Sequence, residues 1–160
     1  MGLFNNLMKK LFGGNQQKAE SVTEPVNNYM ERWEHERKER ISSAETKLKD
    51  WLALYVKENR NLEFSWESGN DEGFVTFQDS ASIGEDRLDQ MESYIIDKLD
   101  IPAAGEFQMN GSGFIYLDNN LIKVKYSSIM KALVDFDEKT EEEIYSEEEH
   151  DSGDVVLFAI

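Results

Sequence analysis

Leu62-Glu63-Phe64-Ser65-Trp66-Glu67 decides how this chain folds. Apolar and polar residues alternate here without interruption. A period of two is the mark of a strand with one face buried and one face wet. Phe74-Val75-Thr76-Phe77 follows the polar stretch 68–72. The two runs predict a β-hairpin closed by a loop of five polar residues, Ser68 to Glu72.

Upstream the period is different. Residues 26–60 contain no glycine and no proline, and Met30, Trp33, Arg37, Ile41, Ala44, Leu48, Trp51, Leu52 and Tyr55 recur at spacings of three and four. That is the stripe of an amphipathic helix. Ser42 with Glu45 fits a capping box, so the stretch reads as one long helix or as two meeting near 41–43. The run Glu31-Arg32-Trp33-Glu34-His35-Glu36-Arg37 is dense in opposite charges, as suits an exposed helix face.

Downstream, Ser82 with Glu85 marks another capping box. The helix it would open carries Leu88, Met91, Tyr94, Ile95 and Leu99 and stops before Pro102. Strands are predicted at 107–109, 114–117 and 121–126. Asp118-Asn119-Asn120 forms the turn between the last two. Asn110-Gly111-Ser112-Gly113 reads as a plain turn, since it lacks the lysine and helix of a phosphate loop. Residues 129–136 fit a strand or a short helix. The acidic stretch 137–154 gives way to Val155-Val156-Leu157-Phe158-Ala159-Ile160. Six apolar residues are costly to leave in water. They predict a buried strand of the main sheet, which makes the acidic stretch a connection or an exposed edge hairpin. The fold class is therefore α+β: a helical N-terminal third, then a mainly antiparallel sheet with one further helix.

Three parts are expected among the 160 residues: an amphipathic helix at 1–12, a linker at 13–25 and one α+β domain at 26–160. Leu3, Phe4, Leu7, Met8 and Leu11 form one face of the first, with Asn5, Asn6, Lys9 and Lys10 on the other. Such a face suits a membrane surface, the domain's own core or another protein. Gly2 invites myristoylation, but Asn6 stands where that signal needs Ser or Thr. The polar residues among the first ten break any signal-peptide core, so we expect a cytoplasmic protein, with peripheral membrane contact through residues 3–12 as an alternative.

Charge is distributed unevenly. Residues 61–160 hold 24 Asp and Glu against 6 Lys and Arg, a net of −18, while residues 1–60 hold 9 against 11, a net of +2. The acidic part is poorly built for nucleic acid, whose phosphates it would repel. The chain has no cysteine, which removes disulfides and thiolate chemistry. Its two histidines, His35 and His150, lie in charged surroundings with no nucleophile near them in sequence. Asp135-Phe136-Asp137 starts like a calcium loop, but Lys139 and Thr140 then occupy positions that need an oxygen ligand and a glycine. We expect no catalytic residues, no metal and no cofactor.

These observations favour a non-enzymatic acidic binding protein, an inhibitor or immunity-type partner of a basic toxin or nuclease. The alternatives are a secretion-chaperone-like dimer and a peripheral membrane protein anchored by residues 3–12. For the partner surface the sequence offers Phe64, Trp66 and Tyr145 with the carboxylates Glu141, Glu142, Glu143, Glu147, Glu148, Glu149 and Asp151. Charge would speed the encounter and aromatics would hold it.

Overall fold

The period-two stretch becomes the second-from-edge strand of a five-stranded antiparallel sheet. The computed structural model describes residues 24–105, 107–140 and 142–160; at 24–27 and 142 it describes the backbone alone. The elements are α1 (Glu24–Asn59), β1 (Asn61–Gly69), β2 (Glu72–Phe77), a single 3-10 turn (Ser80–Ser82), α2 (Glu85–Leu99), β3 (Gln108–Asp118), β4 (Leu121–Asp137) and β5 (Glu142–Ala159). The sheet order is β2-β1-β3-β4-β5. The chain divides into two units at Glu34/His35. The whole sheet, α2 and α1 from His35 onward belong to the second. The amphipathic segment 1–12, with Leu3, Phe4, Leu7, Met8 and Leu11, lies outside the described residues, as does the linker up to residue 23.

One face of the sheet is buried beneath the helices. Leu62, Phe64 and Trp66 of β1, Val75 and Phe77 of β2, Ile115 of β3 and Ile122 and Val124 of β4 meet Leu48, Leu52 and Val56 of α1 and Met91, Tyr94 and Ile95 of α2. Burying each aliphatic side chain contributes about 1.5–3 kcal/mol. Side-chain bonds tie the helices together. Arg37 Nε donates to the Asp97 carbonyl at 2.7 Å, and Arg40 forks onto the Asp97 carboxylate with two bonds of 2.8 Å. A cation is well placed there, beside the orphan carbonyls of the end of α2.

The structure revises several local expectations. Residues 24–59 form one helix, and Ser42 lies inside it; Glu45 accepts from Tyr94 Oη at 3.1 Å and Lys98 Nζ at 2.7 Å rather than closing a cap. Helix α2 is preceded by Gly84, without a side-chain cap, while Glu85 and Asp86 place negative charge in its first turn. The β1–β2 loop is shorter than expected. Asn70 and Asp71 both take positive φ, 53° and 66°, so two residues suffice for a tight turn.

The largest revision is at Asn110-Gly111-Ser112-Gly113, which lies in the middle of β3. Gly111 pairs with Trp66 and Gly113 with Phe64. A Cβ on Gly111 would overlap the Trp66 indole, and one on Gly113 would come within 2.8 Å of Phe64 Cζ. The glycines make room for β1's aromatic rings. Phe64 and Trp66 are 1% and 3% exposed. They are core residues and cannot form a partner surface, which corrects their assignment from sequence. Residues 129–136 are strand throughout, and the apolar end of the chain completes β5, with Leu157 and Phe158 buried.

Candidate functional site: an acidic β-ribbon

Strand β4 is longer than the sheet that supports it. Its pairing with β3 begins at Gln108↔Lys131, so among the described residues Ala132–Asp137 has only β5 beside it. These residues pair with Glu142–Ser146 and form a two-stranded ribbon that extends past the third strand. An isolated ribbon of this kind is marginal in water. Here both strands continue into the sheet. The turn at its tip is fixed by Asp137, whose Oδ1 accepts from the Lys139 N–H at 2.8 Å and the Thr140 N–H at 3.4 Å. Val134 is an extra residue between the pairs Leu133↔Tyr145 and Asp135↔Ile144, a bulge of the kind that bends and twists a strand.

Among the described residues no layer covers the ribbon, and its apolar residues are exposed. Leu133, Val134, Phe136, Ile144 and Tyr145 lie between 45% and 59% exposed. Leu133 pairs directly with Tyr145, so exposed apolar side chains meet on the face they share, and such grouping marks an interaction site more often than scattered single residues do. Sequence reading found Tyr145 but missed the other four. The available signal was the alternation of Leu133, Val134 and Phe136 with Asp135 and Asp137, which periodicity alone assigned equally to helix or strand.

The carboxylates differ in what they already hold. Asp154 accepts from Tyr116 Oη at 2.9 Å and from Lys123 Nζ at 3.2 Å. These bonds, led by that from Tyr116, hold its carboxyl below the usual range. Asp151 accepts from Tyr126 Oη at 2.8 Å; burial, reinforced by this bond, pushes the Tyr126 phenol up to about 12. Glu147 pairs with Lys131 at 2.8 Å, and Tyr145 Oη donates to Glu143. Among the described residues Glu143, Glu148 and Glu149 have no cation in ion-pair range. Glu141 lies outside the described residues, and of Glu142 only the backbone, opposite Asp137, is described. The structure therefore brings Glu143, Tyr145, Glu147, Glu148 and Glu149 together on one strand, and it ties Asp151 to the sheet.

Elsewhere the chemistry is dispersed. His35 is exposed on α1, 3.4 Å from Glu39, and His150 is the extra residue of a β5 bulge. Among the described residues no three His, Asp or Glu side chains gather to hold a metal ion. A groove of about 670 Å³ lies between α1 and α2, but Arg40 and Asp97 on its wall already satisfy each other. Among the described residues no helix is long and apolar enough to cross a membrane.

The molecule is thus an α+β protein with helices on one face of an antiparallel sheet and an acidic, partly apolar ribbon extending from it. No protein-family model, curated protein or solved structure matches the chain.

Proposed function

We propose that this is a non-enzymatic acidic binding protein that neutralises a basic protein partner, as an inhibitor or immunity-type protein acts on a cationic toxin or nuclease. One observation supports the reading above the others. The β4–β5 ribbon combines uncompensated carboxylates with half-exposed Leu133, Phe136, Ile144 and Tyr145. Solubility asks only for charge; it gives no reason to place apolar side chains beside it. Binding uses both, since charge steers the encounter and desolvated apolar anchors slow dissociation. The same acidic surface repels nucleic acid, so the target is the basic protein itself. We place the protein in the cytoplasm.

Affinity capture from native extract at low and at moderate salt, read by mass spectrometry, tests this. The expected result is one basic protein in stoichiometric amount, weakened by salt. Recovery of lipid or membrane proteins alone, or of nothing, contradicts it.

A further inference from the structure

Building on the basic-partner reading, we propose that the partner docks by strand addition: an extended basic segment pairs with the free edge of β5 and becomes a sixth strand of the sheet. The unpaired backbone supplies the site, and the charge selects its occupant.

Strand β5 is terminal in the sheet, and among the described residues its only strand partner is β4. It is 18 residues long. Exposed edges are normally protected by short length, charged side chains, proline or bulges. The other edge, β2, is short at 6 residues. Strand β5 contains neither proline nor lysine, and the charge that guards it is negative, which deters an acidic strand and admits a basic one. Its own extra residues, His150 and Leu157, fall in the C-terminal half, and the bulge opposite Ile144 and Tyr145 lies on β4, so β5 itself carries no extra residue over the solvent-facing run 143–149.

Side chains alternate along that run. Glu143, Tyr145, Glu147 and Glu149 point to one face; Ile144, Ser146 and Glu148 point to the other. A second copy of this chain is a poor occupant, because β5 against β5 sets carboxylate opposite carboxylate. The fitting segment carries Lys or Arg at alternate positions on the face of Glu143, Glu147 and Glu149, one of these cations lying beside the Tyr145 ring. This is the strand-addition mode of peptide recognition, in which the backbone gives affinity and alternate side chains give specificity.

The probe is a capped heptapeptide of alternating lysine and valine. It is compared with two versions N-methylated on either all lysines or all valines, which block one edge or the other without removing charge. The unmethylated peptide is expected to bind the full chain and to slow hydrogen exchange at alternate amides within 143–149. At least one methylated version is expected to bind about tenfold more weakly, the equivalent of one or two lost hydrogen bonds. Absence of binding, unchanged exchange at 143–149, or equal affinity of all three peptides overturns strand addition. The basic-partner reading is decided separately, by the capture experiment.

Discussion

Trp66 occupies the space in which Gly111, its directly paired neighbour on β3, would carry a side chain. The indole is 3% exposed and stacks with Phe64 at a centroid distance of 6.0 Å. Gly111→Ala therefore forces the ring or the strand to move. Overpacking of this kind costs about 1–3 kcal/mol. Urea unfolding should show a lower midpoint at unchanged slope. Gly73→Ala is the control, since its Cβ would meet only Ala103 and Ser68 at 3.6 Å. Its midpoint should barely move.

Glu45 joins two side chains of α2. It accepts from Tyr94 Oη and Lys98 Nζ, and Tyr94 is 1% exposed. In Glu45→Ala the buried hydroxyl loses its acceptor, at a cost of about 1–3 kcal/mol. Glu45→Gln retains an acceptor oxygen and should cost less. Equal losses in the two variants would show that the carboxylate's charge, not its hydrogen bonding, matters there.

Tyr126 gives a pH dependence of definite sign. Burial and the bond to Asp151 raise its phenol to about 12, against about 10 in an unfolded chain. The folded state favours the neutral phenol. That contribution is fully present below about pH 10 and lost as pH rises to about 12. Tyr126→Phe, although less stable at neutral pH, should lose less stability across this interval than wild type. Denaturant titration at several alkaline pH values checks it; parallel losses would refute the assignment.

The ribbon should be separable from the core. Leu133 and Tyr145 are a cross-strand pair, 53% and 47% exposed. Replacing both by serine should change global stability by less than about 1 kcal/mol. Leu52→Ala, in a fully buried position, should cost about 2–5 kcal/mol. A large loss in the ribbon variant would mean that it supports the fold.

Period and punctuation made the elements legible: the alternation at 62–66, the spacing of Leu88 to Leu99, and the apolar close of the chain all lead to the observed α+β order. Asn110–Gly113 misled because its glycines answer rings on another strand, a non-local relation that local turn chemistry imitates. Phe64 and Trp66 alternate with Glu63 and Glu67, and that alternation already marked the buried face of a one-sided sheet. Assigning them to a partner surface gave more weight to aromatic character than to period. The exposed residues of the ribbon were hidden for the opposite reason. Leu133 and Phe136 have core-like composition, and their exposure follows from the reach of β4 beyond the rest of the sheet, which no local pattern records.

The most direct measurement repeats the capture with wild type and with Glu147→Lys/Glu148→Lys/Glu149→Lys side by side, after circular dichroism shows that both are folded. The account predicts one basic protein held by wild type and lost from the variant. The same protein held equally by both, or no basic protein on either, would contradict it.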